Sequence, residues 1–79
     1  MNNTDFIKEY GKFEFYEMCK DISQDLAIAK ATKKIGGYQI NNSKKRVKFY
    51  RKDKESIYVD FATIFILGTD KLDSYIRGK

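Results

Sequence analysis

The sequence predicts an α+β fold in which an N-terminal helix packs on a three-stranded antiparallel β-meander and a short C-terminal helix closes the core. Three observations predict it. Phe15, Met18, Cys19, Ile22, Leu26 and Ala29 recur at spacings of three and four, which is one stripe of a helix. After Gly36-Gly37 the apolar period changes from helical to two. A consistent strand register then sorts the remaining side chains into one apolar and one basic face.

The elements follow in order. Asn3 or Thr4 is expected to cap a first short helix containing Phe6, Ile7 and Tyr10, with Gly11 breaking it. Lys12 to Ile35 reads as helix, with a break allowed near Ile22-Ser23. Phe13, Ala27, Ala31 and Ile35 form a second apolar strip, so the C-terminal half of this helix is expected to be buried on two sides. Gly36-Gly37 supplies the stop as a C-cap, and Lys33 and Lys34 suit the negative end of the helix dipole.

Tyr38 to Asn41 reads as a first strand, Asn42-Ser43 as a tight turn, and Lys44 to Lys52 as a second strand. Asp53 to Glu55 is a polar turn, and Ser56 to Phe61 a third strand rich in β-branched and aromatic residues. These loop lengths pair Tyr38 with Val47 and Phe49 with Val59. The inner face then carries Tyr38, Ile40, Val47, Phe49, Ile57, Val59 and Phe61. The outer face carries Gln39, Asn41, Lys44, Arg46, Lys48, Tyr50, Lys52, Ser56, Tyr58 and Asp60, with Tyr50 and Tyr58 as cross-strand neighbours. Ala62 to Leu67 fits either an extension of the third strand or a buried helical turn capped by Asp60. Thr69 is expected to cap a last helix from Asp70 to about Arg77, with Leu72, Tyr75 and Ile76 inward. A helix followed by a basic hairpin has the general layout of a winged helix, with 44–58 as the wing. This is an analogy of architecture alone.

A chain of 79 residues has room for one hydrophobic core, so residues 1–79 read as a single domain. At 42% hydrophobic and 34% charged it belongs with globular chains and not with disordered ones. It has no His and one Cys, which removes the commonest general base and leaves no Cys-cluster zinc site or intrachain disulfide. Cys19 lies on the apolar stripe and reads as an inert buried thiol. The longest apolar run, Phe61 to Leu67, is too short to span a bilayer. Asp5 and Glu9 interrupt the N-terminus, no apolar segment of a signal peptide follows, and a cytoplasmic location is expected. Gly36-Gly37 lacks the spacing of a phosphate-binding loop and follows a helix instead of preceding one. A helix-turn-helix pattern laid on 23–40 fails for want of the turn glycine. No nucleophile, base and oxyanion donor assemble, so no catalytic residue, cofactor or metal ligand is assigned and no enzyme is expected.

Charge carries the functional reading. The net charge is +5. Residues 1–29 hold three basic and six acidic groups, residues 30–54 ten basic and one acidic, and residues 55–79 three basic and four acidic. The middle third therefore carries more than the whole net charge, which points to a polyanionic partner. Lys44, Lys45, Arg46, Lys48, Arg51, Lys52 and Lys54 can neutralise phosphates. Tyr50 and Tyr58 can stack on unpaired bases, and Gln39 and Asn41 can read base edges. The expected function is non-enzymatic nucleic-acid binding, DNA slightly before RNA, through Lys44, Arg46, Lys48, Tyr50, Arg51, Lys52, Lys54 and Tyr58. Lys30, Lys33 and Lys34 can extend the positive surface. The alternative is a small inhibitor or adaptor that uses the same charge against an acidic surface of a host protein. A bias to Lys, Ile, Asn, Phe and Tyr, with few Ala and no Pro, suggests an AT-rich genome of phage or plasmid type. Homodimerisation through Ala62–Leu67 is a third reading, and no membrane partner is expected. Glu14, Glu17, Asp21 and Asp25 share one helix face and read first as a solvated surface.

Overall fold

Asn2 opens the first helix, because its side-chain oxygen accepts a hydrogen bond from the Asp5 amide at 2.8 Å. The cap thus falls just before both expected positions, and Asn3 is freed for another task. The computed structural model describes all 79 residues. Helix α1 spans Asn3–Tyr10 and α2 spans Lys12–Ala31. Strands β1 (Tyr38–Asn41), β2 (Arg46–Phe49) and β3 (Ile57–Asp60) form an antiparallel sheet in that order. Helices α3 (Phe61–Leu67) and α4 (Thr69–Gly78) follow. The mixed α+β architecture and the meander agree with the sequence reading. The open question at 61–67 resolves as helix.

Single glycines turn both helix pairs. Gly11 at φ 93° joins α1 to α2, and Gly68 at φ 77° joins α3 to α4. Each donates its amide to the helix it ends, Gly11 to the Ile7 carbonyl and Gly68 to that of Ile64. A side chain would strain these left-handed positions.

Helix α2 is unbroken at Ile22-Ser23 and stops four residues before Ile35. The Thr32 hydroxyl bonds back to the Ile28 and Ala29 carbonyls, at 2.9 and 3.2 Å. Lys33 takes the left-handed conformation (φ 62°), and the Lys34 amide closes on the Ala29 carbonyl. Three consecutive residues therefore do the work assigned to Gly36-Gly37, neither of which has positive φ. The stripe is buried as expected at Phe15, Met18, Ile22, Leu26 and Ala29, with Cys19 half-buried. The second strip is not: Phe13 is 72% exposed, Ala27 and Ala31 are exposed, and only Ile35 is buried. One neighbouring layer covers α2, so only one face of it is buried.

Both hairpins pair two residues away from the expected register. Tyr38 lies opposite Phe49 and Ile40 opposite Val47; Val47 lies opposite Val59 and Phe49 opposite Ile57. The loops are correspondingly longer, at 42–45 and 50–56, and β2 is four residues long where nine were expected. Side chains alternate with period two, so a slip of two keeps each residue that remains in a strand on its expected face, while Lys44, Lys52 and Ser56 fall in the loops and Phe61 opens α3. Val47, Phe49, Val59 and Phe61 are buried, and Tyr38, Ile40 and Ile57 pack partly against them. All fifteen buried side chains are apolar and belong to one cluster shared by the helices and the inner sheet face. No charged residue belongs to this core.

The first loop is held open by contacts from far along the chain. The Asn41 side-chain oxygen accepts from the Lys44 amide, and Lys45 turns left-handed at φ 54°. The Lys45 carbonyl then accepts from the Phe61 amide and from the Asn3 side-chain amide, at 3.0 and 2.8 Å. Asn3 also accepts from the Ala62 amide at 3.0 Å, and its own amide donates to the Asp60 carboxylate at 3.0 Å. Asn3 and Asp60 thus satisfy backbone amides at each other's helix starts, in place of the expected cap of α3 by Asp60. Replacing Asn3 by Ala is expected to cost about 2–3 kcal/mol, since a cap and a second backbone partner are both lost. Urea denaturation followed by circular dichroism measures it, and a cost below about 0.5 kcal/mol would contradict the assigned role.

Helix α4 starts one residue before the expected Asp70 and buries Leu72 and Ile76, with Tyr75 partly covered. Lys34 reaches across from the end of α2 to Asp70 at 2.6 Å. The hydrogen bond and charge of Lys34 hold the Asp70 carboxyl below the usual carboxylate range. A depressed folded-state pKa stabilises above the unfolded value, about 3.9, and is lost as pH falls through the folded one. Melting temperatures of the wild type and Asp70→Asn should therefore differ near neutral pH and converge as the pH drops below about 4. A difference that persists in acid would mean that the pair contributes otherwise than through this ionisation.

Candidate nucleic-acid interface

The outer sheet face is built by the alternation that buries its opposite side. Gln39 on β1, Lys48 on β2 and Tyr58 on β3 lie in one row across the sheet. Asn41, Arg46 and Asp60 form the next row. Tyr50 lies just past the end of β2. Its amide donates to the Gly37 carbonyl at 3.1 Å and its hydroxyl to the Gln39 side-chain oxygen at 3.2 Å.

The register corrects one expectation here. Tyr50 and Tyr58 are not cross-strand neighbours, because Lys48 occupies the position opposite Tyr58. Each ring pairs instead with a cation of β2. The Arg46 guanidinium carbon lies 4.1 Å from the Tyr58 ring centroid, and Lys48 Nζ lies 5.5 Å from that of Tyr50. These distances are within cation–π range. Tyr58 is 53% and Tyr50 49% exposed, so each ring keeps open surface beside its cation. The Arg46 Nε atom is buried and has no hydrogen-bond partner.

The remaining candidates separate. Lys44 is exposed in the first loop, beside the Asn42-Ser43 tip. Lys45 is half-buried and its backbone carbonyl is occupied, as described above. Arg51, Lys52 and Lys54 leave β2 altogether, since the strand ends at Phe49. They line a cleft of about 500 Å³ together with Gly36, Gly37 and Arg77. Arg51 donates to the Glu55 and Ile76 carbonyls at 2.7 and 3.4 Å, and Lys54 to the Arg77 carbonyl at 3.4 Å. Two of the three are therefore committed to the second loop and the C-terminal end of α4, where cations meet the negative pole of a helix. Lys52 is exposed and has neither a hydrogen-bond nor an ion-pair partner.

Of the two candidate base readers, Gln39 is held by Tyr50. Asn41 spends its side-chain oxygen on the Lys44 amide and the Ser43 hydroxyl. Asp60 is the one carboxylate in the two rows, and it accepts from the Asn3 amide. The lysines at the end of α2 add little: Lys34 is paired with Asp70, and Lys30 Nζ sits 5.8 Å from the Tyr38 ring. Sequence reasoning found the residues of the outer face but missed the Arg46–Tyr58 stack. The signal that finds it is the length of the second loop, because the seven-residue loop pairs Lys48 with Tyr58 and Arg46 with Asp60, which puts Arg46 on the diagonal from Tyr58.

No three Cys, Asp or Glu side chains converge as a metal site would require. Burial pushes the Cys19 thiol up, partly offset by the charge of Lys45, which keeps it protonated near neutral pH. No helix is long and apolar enough to cross a membrane. Comparisons with protein-family models, characterised proteins and solved structures find no match to this chain.

Proposed function

We propose that this chain is a small non-enzymatic nucleic-acid-binding protein that uses the outer sheet face, with DNA as the first ligand. One observation carries the reading. Arg46 and Lys48 lie against the half-exposed rings of Tyr58 and Tyr50, on a face whose single carboxylate is already engaged. Such a face offers phosphate neutralisation and a stacking surface together. Lys44 and Lys52 extend the positive charge from the two loops. The absence of His and the half-buried, protonated Cys19 support a binding role over catalysis.

A second reading rests on the Arg46–Tyr58 stack itself. Tyr and Arg are among the residues most enriched at the anchors of protein interfaces. The same face therefore suits an inhibitor or adaptor that binds an acidic surface of another protein.

Fluorescence anisotropy with labelled duplex and single-stranded DNA at several salt concentrations separates the two. Neutralisation of four phosphates by Lys44, Arg46, Lys48 and Lys52 gives a log–log salt slope of about −3.6 on duplex and about −2.8 on single strands. Binding no tighter than that of an unrelated protein of equal charge would overturn the nucleic-acid reading and favour the protein-binding one.

A further inference from the structure

A groove runs between α2 and α3 and is lined by no residue of the sheet. It consists of two hollows of about 420 and 300 Å³ that meet at Phe65. Tyr10, Phe65, Ile66 and Ile28 supply its apolar surface, and each is about half exposed. The floor is rigid: Phe6 is buried and meets Tyr10 at 4.8 Å and Phe65 at 6.1 Å between ring centroids. Glu14, Glu17, Asp21 and Asp25 run along the α2 edge, about one per turn, and all four line the hollows. Neither hollow is lined by a Lys or Arg. Glu17 pairs with Lys20, while Glu14, Asp21 and Asp25 have no ion pair.

We propose that this groove docks a basic amphipathic helix of a protein partner. From Glu14 to Ile28 it runs about 21 Å along α2, the length of about 14 helical residues. A helix with apolar anchors at i, i+3 or i+4, and i+7 fills such a groove. Lysines or arginines flanking those anchors meet the carboxylate row. Charge selects among occupants. The carboxylates repel nucleic acid and anionic lipid. A symmetric pairing of two copies would set one acidic row against the other. If the outer sheet face binds a polyanion as proposed above, the chain would join a basic protein segment to that polyanion through two separate surfaces.

The test uses a synthetic 16-residue helical peptide with leucines at that spacing and flanking lysines. A scrambled peptide of the same composition and a version with Lys replaced by Glu serve as controls. The intact ¹⁵N-labelled protein is titrated and followed by NMR. Chemical-shift changes are expected along the acidic edge of α2 and in α3. The patterned peptide should bind about tenfold more tightly than the scrambled one, and the acidic version should not bind. Asp21→Lys, fully on the surface, should weaken binding about tenfold, as should Phe65→Ser. Equal binding of patterned and scrambled peptides would overturn the proposal, as would shifts confined to the sheet or indifference to Asp21→Lys. So would a salt-resistant dimer through this face in sedimentation, which would give the groove to a second copy. Loss of DNA binding in the titration above leaves this test unaffected, because the two faces share no residue.

Discussion

Replacing Lys48 and Lys52 together by glutamate is expected to lower nucleic-acid affinity about a hundredfold near physiological salt. Lys48 stands at the centre of the outer face, between Gln39 and Tyr58, and Lys52 is an unpaired cation of the second loop. Their reversal removes two of four phosphate contacts and adds two repulsive charges, so the duplex salt slope should fall from about −3.6 to −1.8 or shallower. The fold should survive. Neither residue belongs to the buried cluster, and substitutions of this kind change stability by about 0.5 kcal/mol. Circular dichroism and a urea midpoint verify that alongside the binding titration. Retained affinity in a folded variant would exclude the sheet face as the binding surface. Tyr58→Ala refines the result. It removes a stacking surface worth about 1–3 kcal/mol on single strands and should matter much less on duplex.

Phe49→Ala is expected to destabilise the protein by about 3–5 kcal/mol. Phe49 is 1% exposed, pairs with Tyr38 across β1 and with Ile57 across β3, and lies in the single core cluster. Its ring meets that of Tyr38 at 6.3 Å between centroids, an aromatic contact that is lost as well. A domain of this length has about 4–12 kcal/mol of total stability, so the loss should remove a large share of it and lower the urea midpoint accordingly. Phe13→Ala is the matched control. Phe13 is 72% exposed, and its truncation should cost no more than about 0.5 kcal/mol. Urea or thermal denaturation of the two variants thus tests the structure against the periodicity of the sequence, which sets both phenylalanines on apolar strips.

That contrast shows where local pattern stops being informative. Spacings of three and four along α2 identify its buried stripe correctly from Phe15 to Ala29. They also nominate Phe13, Ala27 and Ala31, because amphipathicity records which residues can be buried and not how many neighbouring layers exist to bury them. The candidate site divides in the same way. Arg46, Lys48, Tyr50 and Tyr58 are legible in the sequence as members of one face. The sequence cannot show that Arg51 and Lys54 are drawn to carbonyls at the end of α4, 25 and 23 residues away.

By itself the sequence determined the α+β class, the order of helix, meander and helix, the two faces of the sheet, and the concentration of charge in residues 30–54. These depend on composition and on local periods of 3.6 and two, which the chain carries wherever it folds. Only the tertiary structure decided the register, the length of both loops, the end of α2 at Thr32 and the helical state of 61–67. For the register and the loops the physical reason is parity. A slip of two residues leaves the face pattern unchanged, so the choice passes to long-range hydrogen bonds. At the first loop these are the bonds from Asn3 and Phe61 to the Lys45 carbonyl, with Asn3 itself held by the Ala62 amide. Asn3 lies 42 residues from Lys45 and 59 from Ala62, a separation no local pattern can encode.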